Sequence, residues 1–365
     1  MARVVFLTCF IASCSFLVMP IFAAHAVVRH DDPNGYYLGI PFNEMTSAQK
    51  TAARRAAKTQ IIQPLLACAS PDNMPLSNKK GEGVENQILE LLAKKLDTTT
   101  SFFWQAGNHR GMMNQVFQYR NCNLLLGVST GSTRLLETLP IYRTTYVFVT
   151  RKGSGIHIKS LDDPALKKHS LGVVEPSAMR QVLAEHGLKT GLDVQYQINR
   201  QPWHLAKKVA DGKLDIAALW GPFAGYANKQ SGGRLQLQPA NIMSNKVALE
   251  YSVGIGMRPG AAVLKYALDD ALKSSAKQIK AILKDAGIPL VQCSECIVSG
   301  DLPAHGLYSE SLFEPPQAQF LKPADAAQTK LDKAKARKQI EQALKHGDDA
   351  TQQMFNAIVA SQDQL

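Results

Sequence analysis

Apolar residues recur along this chain in two ways, as short unbroken runs and as stripes at helical spacing. Leu65-Leu66-Ala67-Cys68-Ala69 and residues 124–128 are runs of strand length, which predicts strands buried on both faces. Between them Val84, Ile88, Leu91 and Leu92 share one helical face, with Glu90 and Asp97 opposite. A loop rich in Pro, Asn, Ser and Gly, residues 70–83, joins the first run to that helix. Upstream, the polar lead-in at 27–63 carries one short predicted helix, Ser47–Thr59.

A second set of elements follows. Strands are predicted at 145–150, 170–174, 194–198, 215–220 and 251–257, with helices at 177–186, 202–210 and 223–230 between them. Residues 261–286 read as one long helix, stopped by Gly287 and Pro289. Alternation of this kind implies α/β layers on parallel sheets. Arg151-Lys152-Gly153-Ser154-Gly155 reads as a hinge, so the expected fold is two α/β lobes with a central crevice. The strand at 251 and its long helix return the chain to the first lobe. The expected organisation is a leader at 1–26, an extension at 27–64, a first lobe at 65–150 plus 250–290, a second lobe at 151–249, and a tail at 291–365. That tail carries a Cys-x-x-Cys, a Pro-rich stretch and a charged helix at 325–345. Ligands of such sheets bind beyond the strand C-termini, here the loops after Cys68, Val128, Val174 and Trp220.

The leader changes the compartment. Arg3 precedes an apolar run at 4–22, and Ala24 and Ala26 stand at the −3 and −1 positions of a cleavage site before Val27. An uncleaved anchor and a lipoprotein site at Cys14 are the alternatives, and Pro20 with the Ala-His-Ala box favours cleavage. Removal leaves about 340 residues, enough for two domains with cores, and no span in the mature chain. The periplasm is the expected location.

Hydrophobic content of 45% against 19% charged suits a globular fold. A formal charge of +11 favours an acidic partner or surface. Nucleic acid is not expected for an exported chain with no recognition motif.

Of six cysteines, Cys9 and Cys14 leave with the leader. Cys68, Cys122, Cys293 and Cys296 remain, an even number in an oxidising compartment, with three possible pairings. Closeness in sequence favours Cys293–Cys296, and with it Cys68–Cys122. The Cys-x-x-Cys lacks the His of a haem attachment and a second ligand pair for zinc, and it follows a long helix instead of opening one as a redox motif does. A structural disulfide fits best.

No catalytic constellation is present: no GxSxG, no HExxH, no phosphate-binding GxxxxGK[ST]. No enzyme, cofactor or metal is expected. Candidate crevice residues are Ser70, Asn73, Met74, Pro75 and Asn78, polar or small groups leaving the first strand, although Asn and Ser there equally suit turn-holding bonds. Trp104, Arg110 and Gly111 lie before the next strand, and Ser129 and Thr130 end it. Trp220, Gly221 and Pro222 end a strand of the second lobe, where the Trp suits either a stacking platform or a lid over the core.

Several segments in order resemble the MxaJ (MoxJ) group and its XoxJ relatives. They are Cys68-Ala69-Ser70-Pro71-Asp72-Asn73-Met74-Pro75-Leu76-Ser77-Asn78 with Gly81-Glu82-Gly83-Val84-Glu85-Asn86, then Tyr142-Arg143-Thr144-Thr145-Tyr146-Val147-Phe148-Val149, Ser160-Leu161-Asp162-Asp163-Pro164, and Asp215 through Tyr226. The likeness covers roughly residues 65–289 and departs over 174–201, which is shorter. It implies a periplasmic binding protein type 2-like fold and cysteines bridged where Cys68 and Cys122 stand. It also implies an accessory role toward a periplasmic PQQ-dependent methanol dehydrogenase. Amino-acid receptors of this class carry an Arg that grips the ligand carboxylate bidentately. Here Ser129-Thr130-Gly131-Ser132-Thr133-Arg134 occupies that place with a shorter spacing to Pro140, which does not suit an amino-acid ligand. The alternatives are a transport receptor for a small polar solute and a redox protein using Cys293 and Cys296.

Overall fold

The computed structural model describes residues 40–59, 62, 64–106, 109–158, 160–196, 201–240 and 247–304. The predicted leader at 1–26 and the charged helix at 325–345 lie outside the described residues, as does most of the tail.

The first half of the chain forms α1 (Ser47–Thr59), β1 (Leu65–Ala69), a small hairpin of β2 (Asp72–Asn73) and β3 (Ser77–Asn78), α2 (Val84–Lys95), β4 (Thr100–Trp104), α3 (His109–Phe117), β5 (Leu124–Ser129), β6 (Leu136–Glu137) and β7 (Tyr142–Arg151). The second half forms α4 (Ala165–Lys168), β8 (Leu171–Glu175), α5 (Ala178–Glu185), β9 (Leu192–Tyr196), α6 (Trp203–Ala210), β10 (Ile216–Trp220), α7 (Gly221–Gln230) and β11 (Leu235–Pro239). It closes with β12 (Glu250–Met257), α8 (Ala262–Ser274) and α9 (Ala276–Asp285).

The strands follow the order β4-β1-β5-β12-β7-β10-β8-β9, with β6 beside β12 and β11 beside β7. β4, β1 and β5 are parallel, and so are β9, β8 and β10. The sheet is not parallel throughout, as the alternation alone suggested. β12 runs antiparallel to β5 and β7, and β7 antiparallel to β10 and β11.

β7 joins the two lobes. Its residues 142–145 pair with β12, and residues 146–151 pair with β10 and β11. The turn after Arg151, expected to be the hinge, lies at the far end of this strand, where Lys152 N–H donates to Arg234 O at 2.9 Å. The crossing between lobes is inside β7 itself.

The first lobe buries Leu65, Leu89, Leu92, Leu124, Leu268, Leu272 and Leu283 between its strands, α2, α8 and α9. The opposite face of β1 and β5 packs on α3, around the Cys68–Cys122 bridge. The second lobe is packed on both faces, with Met179, Val182 and Leu183 of α5 on one side and Leu205, Val209 and Ala224 of α6 and α7 on the other. The long helix expected at 261–286 is two helices. Ser274 and Ser275 stand at the break, Ser274 Oγ donates back to Ala271 O at 2.9 Å, and Ser275 leaves the helical region at φ −108°, ψ 8°. The Ser274 hydroxyl competes for a backbone carbonyl at the break, which favours ending the helix there.

Candidate functional site

The crevice expected from the sequence would lie where β1, β5, β8 and β10 end. The loop after β1 begins as a hairpin: Asn73 O accepts from Leu76 N–H at 2.8 Å, and Ser77 Oγ donates to Ser70 O at 3.0 Å. The loop then delivers two carbonyls to a helix. Pro75 O accepts from Val84 N–H at 2.8 Å and Leu76 O from Glu85 N–H at 2.9 Å, so the loop backbone caps α2 where Gly83 offers no side chain. Asn78 is used up internally. Its amide donates to Glu82 Oε2 at 2.8 Å, its Oδ1 accepts from Glu82 N–H at 2.9 Å, and its own N–H donates to Asn86 Oδ1 at 3.0 Å. The Asn78 side chain thus holds the turn, to which Ser70 and Asn73 contribute their backbone carbonyls. Pro75 is buried and Met74 half-buried beside them.

Trp220 is the centre of the arrangement. Its ring lies 5.1 Å from that of Tyr146 and 5.3 Å from that of Tyr251, and it packs against the core of the first lobe and both cores of the second. It is a lid and a joint at once. Gly221 and Pro222 are buried on the other side of the joint. A Cβ at Gly221 would stand 2.6 Å from Thr145 O and 2.6 Å from Pro289 Cγ, so glycine there permits α7 to rest on the loop after α9. Ser129 is exposed at the end of β5, and Thr130 is held by its N–H to Ser252 O at 2.9 Å. Trp104 lies on the outer strand β4, level with Ala69, stacked on Phe102 at 4.9 Å and apart from Trp220. Arg110 is the second residue of α3, and its side chain lies outside the described residues. Arg134, at the place of the expected carboxylate grip, is exposed.

One buried acid beside the loop after β1 is not among the expected site residues. Glu85, in the first turn of α2, sets its carboxyl against Gly127 of β5, with Oε1 2.1 Å from where a Cβ of that residue would stand. Gly127 has φ +66°, so both its conformation and the close carboxyl call for glycine. Burial pushes the Glu85 carboxyl up to about 7. Tyr142 is buried close by, and burial, reinforced by the Glu85 charge, raises its hydroxyl well above the ordinary range. Burial also pushes Tyr146 up to about 12, partly offset by the Ala178 N–H and the Ser177 hydroxyl at the start of α5. The available sequence signal was the four-residue spacing of Tyr142 and Tyr146, which places both on one face of a strand.

The lobes touch across the crevice. Gln201, before α6, donates its amide to Asp72 Oδ1 of the first lobe, and Trp203 Nε1 holds Gln201 Oε1 at 2.6 Å. Leu76 packs against the core of the first lobe and the α6–α7 core of the second. Burial raises the Tyr226 hydroxyl, helped by the charge of Glu82 across the gap. Behind the crevice, a Cβ at Gly225 of α7 would stand 1.9 Å from Gly287 O, and Lys229 pairs with Asp285 at 3.0 Å. Among the described residues one cluster of possible metal donors occurs, Cys293, Glu295 and Cys296, and its two sulfurs are joined in a disulfide.

This geometry has counterparts of known structure. The fold matches that of MxaJ from Methlophaga aminisulfidivorans MPT with a TM-score of 0.55 and 28% identity, over 62% of this chain and 99% of that one. It matches the periplasmic binding protein XoxJ from Methylobacterium extorquens AM1 with a TM-score of 0.52 and 30% identity, over 62% of this chain and 98% of that one. The chain belongs to the MoxJ/MxaJ–XoxJ family. In sequence it is 27% identical over 267 residues to protein MoxJ of Methylorubrum extorquens, covering 68% of this chain and 87% of that protein. It is 26% identical over 270 residues to protein MoxJ of Paracoccus denitrificans. No family model matches the sequence. Membership in this family fixes the two-lobed binding-protein fold. No helix among the described residues is long and apolar enough to cross a membrane.

Proposed function

We propose that this chain is a periplasmic accessory protein of methanol oxidation, which engages a PQQ-dependent methanol dehydrogenase during its maturation or activation and has no catalytic role of its own. Kinship with MoxJ, MxaJ and XoxJ supports the pathway. One structural observation supports a protein partner over a solute: the joint between the lobes is filled by the chain's own Trp220, packed on the cores of both. A solute receptor works by hinge closure around its ligand. The contact of Gly225 with Gly287 and the bond between Gln201 and Asp72 oppose such separation from both sides. The net charge of +11 suits an acidic partner surface. A strain lacking this protein should lose most periplasmic methanol dehydrogenase activity and regain it with the wild-type gene, and the dehydrogenase should co-purify with the tagged protein. Full dehydrogenase activity in the deletion strain would overturn the proposal.

The buried, proton-holding Glu85 carboxyl beside the loop after β1 favours a second reading, a receptor for a small polar solute. A thermal-shift screen separates the two, since a ligand at 100 times its Kd adds about 2.7 kcal/mol of stability.

A further inference from the structure

The Cys293-Ser294-Glu295-Cys296 segment sits on the start of β7, on the first-lobe side of the crossing. Val291 N–H donates to Arg143 O at 2.9 Å, Ile297 N–H to Pro140 O at 2.8 Å and Val298 N–H to Ile141 O at 2.8 Å. The two arms of this small loop thus lie along the start of β7, bridging the adjacent residues Arg143 and Tyr142. These are residues whose other flank pairs with β12. The disulfide closes the neck between the arms, with Cα atoms 5.4 Å apart. Side chains complete the attachment. Arg143 binds Glu295 of the loop, donates from Nε to Ser252 Oγ of β12 at 2.9 Å and lies 3.8 Å from Glu250. Cys296 Sγ is 4.0 Å from the same Ser252 hydroxyl.

The two disulfides differ in what they can do. Cys68–Cys122 spans a sequence separation of 54, and its residues are 1% and 0% exposed. Cys293–Cys296 spans a separation of 3, so it removes much less freedom from the unfolded chain. Cys293 is 4% exposed, and Cys296 is half-buried, the more exposed of the two. The short bridge therefore contributes little as a staple, and its Cys296 end is the one nearer solvent.

We propose that Cys293–Cys296 is a thiol-exchanging clasp on the start of β7, which a dithiol reductant opens in the folded protein. One thiolate of the dithiol attacks Cys296 Sγ, and the Cys293 sulfur leaves as a thiolate that takes a proton from water. The second thiolate of the reductant then attacks the mixed disulfide, forming the oxidised dithiol and releasing the Cys296 thiolate. With the neck open, the arms at 291 and 298 lose their fixed separation and their hold on the start of β7 weakens.

The test treats the native full-length secreted chain with dithiothreitol, alkylates it, and locates the labels by mass spectrometry. Labels on Cys293 and Cys296 with Cys68–Cys122 intact are expected. Hydrogen exchange should then quicken at least tenfold at the amides of Val291, Ile297 and Val298. The paired variant Cys293→Ser with Cys296→Ser should reproduce that acceleration without reductant. Reduction of both disulfides together, resistance of the short one until global unfolding, or reduction without faster exchange would each overturn the proposal.

Discussion

Replacing Glu85 by glutamine isolates the cost of the buried carboxyl beside the loop after β1. Burial raises it from an ordinary 4.5 to about 7. A carboxyl raised in the folded state binds its proton more tightly there than in the unfolded chain, so stability falls as pH rises between those two values. Below 4.5 both states are protonated and the group contributes nothing. Above 7 both are ionised and the full cost is present. At about 1.4 kcal/mol per pH unit, the difference between 4.5 and about 7 amounts to roughly 3 kcal/mol. The N-terminus of α2 favours a carboxylate in its first turn by ~0.3–1 kcal/mol, which brings the expectation to about 2–3 kcal/mol. Urea unfolding of wild type and Glu85→Gln at pH 4 and pH 8 measures it. The variant should gain that amount on its parent between the two pH values, and any constant packing difference from the amide cancels in the comparison. An equal pH dependence in the two proteins would refute the assignment of a buried, proton-holding carboxyl to this position.

Three further perturbations probe the joint and the staple. Gly225→Ala should cost ~1–3 kcal/mol in urea unfolding, because its methyl would meet Gly287 O at 1.9 Å, and should raise the radius of gyration in solution scattering as α7 backs away. Trp220→Ala should cost about 3–5 kcal/mol and split a single calorimetric transition into two, since this ring joins the cores of both lobes. Removing Cys68 and Cys122 together as alanines should lower stability by about 4 kcal/mol, as expected for closing a loop with a separation of 54.

How far the sequence could be read follows from what each signal encodes. β1, β5, β8 and β10 are short apolar runs bounded by polar turns, and buried central strands leave that trace wherever they pair. β4 leaves none, because an outer strand with residues half-buried or exposed needs no unbroken apolar run. The place of the crossing is hidden for a related reason. The sequence predicts a strand at 145–150 within β7, and a two-residue period reports which face is buried but not which neighbours supply the pairing, so nothing along β7 marks the exchange of β12 for β10 and β11. A Gly- and Ser-rich turn at its end looked like the hinge instead. The site shows the same limit at the level of single groups. Asn78 reads equally as a ligand group or a turn holder, and the side chain and backbone N–H of Glu82 occupy it. Glu85 carries no signal in the sequence that sets it apart, and the bare backbone of Gly127 opposite leaves room for its carboxyl inside the protein. Polarity is local and legible. Availability is not, because it depends on which partner the fold brings near, and here the fold spends the polar loop on capping α2, buries a helix acid beside it and packs three aromatic rings together.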